Sequence, residues 1–224
     1  MKILILGTNI KTLVNFRGLL IQDIIKKDID VMAASSVPDS NSFINISKLG
    51  ATYKTIYLQR NGLSLTGDIR TFINLLKLLK NQKPHLVLAY GIKLVIWGGL
   101  SARLTRTPFF ALITGLGFAF QGDSLKRKFL TKLVTFLYKI ALKNSKAVIF
   151  QNKDNQNTFI DKGIVPRSKT HIVNGSGVDI KKYSVTKFPK AHVSFLCISR
   201  LLGEKGLREY AAAARIVKDK FPNV

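Results

Sequence analysis

The 224-residue sequence predicts an α/β fold in which helices cover both faces of a doubly wound parallel sheet. Short apolar runs rich in Ile, Leu and Val recur along the chain, and a turn residue and a longer segment of helical period follow most of them. Parallel strands that are buried on both faces have this continuous apolar character. A hydrophobic content of 46% also suffices for a packed core and excludes a disordered or collagen-like chain.

The apolar runs predict eight strands, at residues 2–6, 30–34, 54–57, 86–90, 109–114, 147–151, 171–174 and 193–199. The segments of helical period predict seven helices, at residues 12–26, 40–49, 68–80, 94–104, 124–143, 154–162 and 206–221. In the third helix we expect Asp68 to act as the N-cap and one apolar face to pack on the sheet. That face consists of Ile69, Phe72, Ile73, Leu76 and Leu79.

The chain is expected to hold one complete domain and the beginning of another. The helical and strand periodicity fades in a lysine-rich stretch, which places a linker near residues 182–192. We therefore assign residues 1–186 to a first domain and residues 187–224 to the start of a second. One strand and one helix cannot bury their apolar faces alone, so the sequence is expected to be a fragment of a longer protein.

The charge of the chain predicts an anionic partner. Against 36 Lys and Arg residues stand 12 Asp and Glu residues, which gives a net charge of +24. Such a charge attracts nucleic acid, anionic lipid or phosphorylated substrates. No motif that reads RNA or DNA is present, so nucleic acid is not the predicted partner. No apolar run reaches the length of a membrane span, and the single Cys197 excludes a disulfide framework and a thiolate zinc site.

Ligands of open parallel sheets bind beyond the carboxyl ends of the strands, which makes the loops at that edge the candidate sites. Gly7 and Asn9 follow the first strand, Lys93 follows the strand at 86–90, and Gly115 and Gly117 follow the strand at 109–114. Glycines allow close backbone approach to a ligand, and a lysine can pair with phosphate. Plain strand-to-helix turns and a solvated surface lysine explain the same residues.

The loop after the strand at 193–199 combines two cations with the start of a helix. Arg200 offers a forked donor and Lys205 a compact charge, so together they could hold a diphosphate without a metal ion. A surface pair between Arg200 and Glu204 explains the same spacing.

The helix at 124–143 has ordered charges. One stripe consists of Lys128, Lys132, Lys139 and Lys143, and apolar residues fill the neighbouring arc. Such a helix can lie on an anionic membrane with its lysines at the level of the headgroups. A helix that packs on the sheet and exposes a solvated basic face has the same pattern.

No catalytic residue is predicted from the sequence. The three histidines, His85, His171 and His192, fall at strand entries or in the linker and show no metalloprotease or nucleophile pattern. Paired carboxylates at active-site spacing are also not apparent.

Several motifs together resemble those of bacterial family 4 glycosyltransferases with the GT-B architecture, especially enzymes that act on polyprenyl-diphosphate-linked sugars. The motifs are GTN at 7–9, NFRGLL at 15–20, KPHLVLAYGIK at 83–93, ALITGLG at 111–117, VIFQN at 148–152, VNGSGVD at 173–179 and ISRLLGEKGLREY at 198–210.

The resemblance implies two Rossmann-like domains, of which residues 1–186 form the acceptor side and residues 187–224 begin the nucleotide-sugar side. It implies retaining transfer of a hexosyl or N-acetylhexosaminyl group from a UDP-sugar to a lipid-linked saccharide in surface polysaccharide or glycan biosynthesis. It also implies that the protein needs no metal or other cofactor and sits peripherally on the cytoplasmic face of the cell membrane.

The resemblance assigns roles to several residues. The donor diphosphate would be bound by Arg200, Lys205 and Gly7. The acceptor would be bound by Asn9, Arg17, Lys93, Gly115 and Gly117, with Arg17 and Lys93 at its diphosphate. Two departures stand out. Thr114 and Gly115 occupy the place where many relatives have a histidine, and the E-x7-E segment of the family is missing, so we expect these residues alone to be inactive.

Two other interpretations remain open at this point. One is a non-enzymatic α/β domain that binds polyanions or membranes through its charge. The other is a sugar-nucleotide epimerase on the same fold, which would need catalytic carboxylates and histidines that the sequence does not place.

Overall fold

A computed structural model shows one sheet of seven parallel strands in the order β3-β2-β1-β4-β5-β6-β7. It describes residues 1–36, 40–59, 62, 64–117, 120, 124–187, 193–199, 201 and 205–222. The strands are β1 (Lys2–Leu6), β2 (Asp30–Ser35), β3 (Thr52–Thr55), β4 (Leu86–Tyr90), β5 (Phe109–Ile113), β6 (Ala147–Phe150) and β7 (Thr170–Ile172). The helices are α1 (Ile10–Ile25), α2 (Ser40–Lys48), α3 (Leu65–Gln82), α4 (Ile92–Leu104), α5 (Leu125–Leu142), α6 (Lys153–Asp161) and α7 (Leu207–Lys220).

The sheet separates two hydrophobic clusters, which confirms the predicted doubly wound α/β class. On one face, Ile10, Leu13 and Ile21 of α1 pack with Ile46 of α2 against the strands. On the other face, side chains of α3, α4, α5 and α6 pack together, among them Leu75, Leu94, Val134 and Phe159. Helices on both faces are required here because parallel strands bury both of their sides.

The register places the carboxyl ends of the central strands side by side. Strand β1 pairs with β2 on one side and with β4 on the other, where Leu6 lies opposite Ala89. Gly7 and Tyr90 are therefore neighbours one residue further along each strand. This edge is the place where ligands bind to open parallel sheets.

Helix α3 differs from the sequence prediction in its start and in its buried face. Ser64, not Asp68, is the N-cap, and its Oγ accepts from the Gly67 N–H at 3.2 Å. Ile69 and Ile73 are 48% and 44% exposed, so the predicted apolar face does not pack as a whole. Asp68 is instead turned inward, where it meets Lys93 of α4.

The described chain separates into two compact units, Met1–Val178 and Asp179–Val224. In the second unit, residues 193–199 form no strand in the described structure, although the sequence predicts one there. The reason is that an isolated strand has no neighbour to satisfy its backbone groups. Helix α7 does form, and the assignment of 187–224 to a second Rossmann-like domain stays a prediction.

Within the described ranges, no helix combines the length and the apolar character that crossing a bilayer requires. In the same ranges, no three His, Cys, Asp or Glu side chains come together as a metal site needs.

Candidate functional site

Gly7 and Tyr90 meet at the carboxyl edge of the sheet. A Cβ atom on Gly7 would collide with the Tyr90 hydroxyl and would lie 2.8 Å from Leu13 Cγ. The side chain of Tyr90 thus lies directly against the turn that follows β1. Gly91 follows β4 and is the N-cap of α4; its φ is +86°, and a Cβ there would collide with the methyl group of Thr8. Two glycine turns therefore bring β1, β4 and their helices into close contact.

Tyr90 is held as a neutral phenol. Its side chain is 5% exposed, and its Oη lies 2.9 Å from Thr12 Oγ1 on α1. Burial raises the pKa of Tyr90 to about 12, because the phenolate would lose its hydration. The hydrogen bond to Thr12 and the nearby charge of Arg17 oppose this effect only in part.

Arg17 lies beside Tyr90 and is the buried cation of this edge. It occupies a position on the inner stripe of α1, together with Ile10, Leu13 and Ile21, and only 6% of it is exposed. Its Cζ atom is 5.2 Å from the centre of the Tyr90 ring, which is cation–π distance. Burial lowers the pKa of the Arg17 guanidinium, and the proximity of Tyr90 counteracts that shift.

The guanidinium of Arg17 is only partly satisfied. Its Nη1 donates to the Phe16 carbonyl at 3.0 Å and to Ser176 Oγ at 2.9 Å, while its buried Nε has no hydrogen-bond partner. Among the residues that the structure describes, no carboxylate lies within ion-pair distance of it. A buried charge without a counterion is costly. The arrangement is therefore suited to receive an anion, for which arginine is the best forked donor.

Two further polar residues complete the surroundings of Arg17. Gln151 follows β6, and Ser176 lies in the loop after β7. Gln151 Nε2 donates to Ser176 Oγ at 3.2 Å, so this oxygen accepts from both Gln151 and Arg17. The loops after β1, β4, β6 and β7 thus converge at the carboxyl edge.

Lys93 is not the free cation that the sequence predicts. Its Nζ lies 2.8 Å from Asp68 Oδ1, and the two side chains are 17% and 13% exposed. Neither atom is in hydrogen-bond geometry, so the pair is held by charge attraction. Because Asp68 already neutralises the ammonium group, the geometry does not support direct contact with a diphosphate. The assignment of Lys93 to the acceptor stays a prediction.

The remaining predicted residues of the first unit lie at the expected edge, with differing local roles. Asn9 caps α1, since its Oδ1 accepts from the Lys11 N–H at 2.7 Å. Gly117 has a φ of +70°, and a Cβ there would lie 2.6 Å from Ile92 Cδ1, so a glycine is required. Gly115 is exposed with no atom near its hypothetical Cβ. Their binding roles stay predictions.

The two donor-site cations belong to the second part of the chain. Lys205 is exposed, and it immediately precedes the N-cap of α7, Gly206. Arg200 lies outside the described residues. The proposal that both hold a donor diphosphate stays a prediction.

Helix α5 presents an apolar and basic outer surface. It packs inward through Val134, Tyr138, Ala141 and Leu142. Phe129 and Phe136 are left 71% and 58% exposed. All four lysines of the predicted stripe, Lys128, Lys132, Lys139 and Lys143, are exposed. An open cleft of about 560 Å³ lies beside Phe136 and is lined by Lys128, Lys132 and Lys139.

Sequence reasoning did not select Tyr90, Gln151 or Ser176 as site residues. A usable signal was present, because all three lie at or just beyond the carboxyl end of a strand. The burial of Arg17 could also be anticipated, since a charged residue in the inner stripe of an amphipathic helix has to find a polar partner.

Comparison with known proteins places this geometry in a family. Residues 2–152, which include β1 to β6 and the turn at Gly7, match the profile of that family. The chain belongs to the glycosyl transferase 4-like family. The resemblance inferred from the motifs is thereby confirmed.

Two named glycosyltransferases are similar to this glycosyl transferase 4-like chain. One is the N,N'-diacetylbacillosaminyl-diphospho-undecaprenol α-1,3-N-acetylgalactosaminyltransferase of Campylobacter jejuni, 25% identical over 82% of this chain and 52% of that protein. The other is the UDP-Gal:α-D-GlcNAc-diphosphoundecaprenol α-1,3-galactosyltransferase of Escherichia coli, 27% identical over 69% of this chain and 42% of that protein. The chain thus spans about half the length of these relatives.

Solved structures support the fold of the glycosyl transferase 4-like chain. HepE from Anabaena, crystallised with UDP and glucose, superposes with a TM-score of 0.58 at 16% identity. The match covers 83% of this chain and 47% of HepE. At this identity the similarity establishes the Rossmann-like fold alone.

Proposed function

We propose that the chain is the acceptor-side part of a glycosyltransferase that acts on a polyprenyl-diphosphate-linked saccharide. The donor would be a UDP-linked hexose or N-acetylhexosamine, transferred with retention of anomeric configuration. Family membership and the two relatives named for diphospho-undecaprenol acceptors support this reaction class. In this proposal the products serve surface polysaccharide or glycan assembly.

The observation that carries the proposal is the unpaired guanidinium of Arg17. It is buried and lacks a carboxylate partner in the described part of the chain, and it lies at the ligand-binding edge of the sheet. A diphosphate would supply the missing negative charge and accept from its free Nε–H. Asn9, Gly115 and Gly117 line the same edge and are proposed to approach the acceptor through their backbone.

Replacing Arg17 by Met should abolish most of the affinity for a lipid diphosphate. Arg17→Met removes the charge but keeps an unbranched stem at a buried position, so folding should be retained. We expect binding of farnesyl diphosphate, measured by isothermal titration calorimetry, to weaken by about tenfold or more, as for loss of a charged hydrogen bond.

The matched control is Lys27→Met, which removes one charge from an exposed residue just after α1 and should change the affinity less than about twofold. Equal affinities of the Arg17→Met variant and the unaltered chain would contradict the proposed site. Equal losses in both variants would show that only the overall charge matters.

For the donor side, we propose that Arg200 and Lys205 neutralise the UDP diphosphate in place of a metal ion, with Gly7 near the transferred sugar. The chemical support is that the sequence places a forked and a compact cation five positions apart, and that Lys205 directly precedes the N-cap of α7.

We further propose that α5 binds the inner surface of the cell membrane, where a polyprenyl-linked acceptor is embedded. Exposed Phe129 and Phe136 can enter the headgroup region while the neighbouring lysines contact anionic lipid. Each lysine near such a surface contributes about 1 kcal/mol.

Co-sedimentation with vesicles tests this surface. On vesicles with about a third phosphatidylglycerol, the triple variant Lys128→Gln, Lys132→Gln, Lys139→Gln should lose about a hundredfold in affinity, the equivalent of three such contacts. Phe129→Ser with Phe136→Ser should also weaken binding. The control pair is Phe16→Ser with Leu19→Ser, which removes similarly exposed apolar groups from α1. Loss of binding in the control pair alone would place the membrane contact on the other face of the sheet.

A further inference from the structure

The loop after β7 places the hydroxyl group of Ser176 against the guanidinium of Arg17. We propose that the Ser176 hydroxyl oxygen stands where an oxygen of the acceptor diphosphate binds, and that the bound anion displaces it. Arg17 and Gln151 are then the two ligand-binding donors, and Ser176 is an internal competitor. The ligand class rests on the proposed function, whereas the competition rests on the contacts of Ser176.

The contacts show two donors aimed at one oxygen. Arg17 Nη1 lies 2.9 Å and Gln151 Nε2 lies 3.2 Å from Ser176 Oγ, and these donors come from α1 and from the end of β6. A neutral hydroxyl oxygen is a weak acceptor for a guanidinium, whereas a phosphate oxygen carries negative charge and forms shorter and stronger hydrogen bonds. The same two donors would therefore bind a phosphate oxygen in preference to Ser176.

Burial differs between the donor and its present acceptor. Arg17 is 6% exposed and fixed by the core stripe of α1, while Ser176 belongs to an exposed stretch, 171–178. Gly175 and Gly177 flank Ser176 with φ values of +78° and +73°, and no atom lies within 4 Å of a Cβ built on either. A segment with so few packing contacts can move away at little cost in free energy.

The opposite role for Ser176 makes the opposite prediction. If its hydroxyl stayed in place and donated to the anion, Ser176 would be part of the binding site, and its removal would weaken binding. If it competes, its removal frees Arg17 and Gln151 and strengthens binding. The sign of the change in affinity therefore distinguishes the two roles.

The experiment is calorimetric titration of the chain with inorganic pyrophosphate and, in parallel, with farnesyl diphosphate. We expect Ser176→Ala to bind both about tenfold more tightly, the equivalent of one hydrogen bond no longer displaced. Gln151→Leu should bind both more weakly. The control Ser47→Ala removes an exposed hydroxyl of α2, bonded to the Phe43 carbonyl at 3.2 Å, and should leave both affinities unchanged. Unchanged or weaker binding by Ser176→Ala overturns the inference.

Hydrogen exchange gives a second measurement that also separates this inference from the proposed function. Pyrophosphate should increase amide exchange in 174–178 of the unaltered chain, and Arg17→Met should show that faster exchange without any ligand. Loss of binding in Arg17→Met together with no effect of Ser176→Ala would overturn the competition and leave the diphosphate site standing. Full binding by Arg17→Met would overturn the site itself. Absence of pyrophosphate binding in both the unaltered chain and Ser176→Ala would overturn both.

Discussion

Asp68→Leu is expected to lower the free energy of unfolding by about 3 kcal/mol, because it leaves the Lys93 ammonium enclosed without a counterion. Lys93→Met should lower the free energy of unfolding by a similar amount, because it leaves the Asp68 carboxylate without a counterion. The double variant should recover most of the lost stability, since an apolar pair of similar size fills the space between α3 and α4. Urea denaturation followed by circular dichroism gives all the values, and a double-mutant cycle gives the coupling energy.

A surface ion pair of the same chain provides the control for this cycle. Lys26 Nζ lies 3.1 Å from Asp23 Oδ1, but these side chains are 74% and 68% exposed. Asp23→Leu should change the stability by less than about 0.5 kcal/mol, since water screens exposed pairs. If Asp68→Leu costs no more than Asp23→Leu, the enclosed pair does not hold α3 against α4.

Gly99→Ala is expected to destabilise the chain by about 2 kcal/mol, because the added methyl group meets backbone that cannot rotate away. A Cβ at Gly99 would lie 2.8 Å from the carbonyl oxygen of Ala141 on α5 and 3.2 Å from Phe109 Cε1 on β5. Helices α4 and α5 would have to separate to admit it. The shift in the midpoint of urea denaturation measures this loss in the free energy of unfolding.

Gly18 is the matched control, since it also lies within a helix. A Cβ there would meet only the side chain of Leu49, whose Cδ1 atom lies at an ordinary contact distance of 3.5 Å. Gly18→Ala should be neutral or stabilise the chain by up to about 1 kcal/mol, because alanine favours a helix over glycine. Equal stabilities of the two variants would show that α4 and α5 are not in close contact at Gly99.

The strands were predictable where both of their faces are apolar. Strands β1 and β4 begin and end at the predicted residues, since each lies inside the sheet and is an uninterrupted apolar run. Strand β3 forms at Thr52–Thr55, two residues earlier than predicted, because an edge strand needs no apolar run. Residues 193–199 are apolar and exposed, which shows that composition without a neighbouring strand does not make a strand.

The rotation of α3 could not be derived from its own sequence. Ile69 and Ile73 fit an inward face as well as Thr71 and Leu75 do, and helical period alone does not choose between them. The observed rotation brings Asp68 to Lys93, and these residues are 25 positions apart and meet only in the folded chain. Contacts between residues this far apart in sequence can be identified only from a three-dimensional structure.

The candidate site was predictable in its location and not in its contacts. The motifs correctly placed Gly7, Asn9 and Arg17 near the carboxyl edge of the sheet. They could not show that the loop after β7 crosses back to Arg17, because sequence separation between Arg17 and Ser176 exceeds 150 residues. They also gave no sign that Asp68 forms an ion pair with Lys93, whose assignment to the acceptor stays a prediction.

The strand order has a consequence for how this protein is made on the ribosome. Strand β1 emerges before both of its partners, β2 and β4, so its second edge stays open until residues 86–90 have been synthesised. At about 5–20 residues per second, the interval after β3 emerges lasts roughly two to seven seconds. Nascent chains of intermediate length therefore display an apolar strand with unpaired backbone groups, which makes them the stage of biogenesis most prone to aggregate.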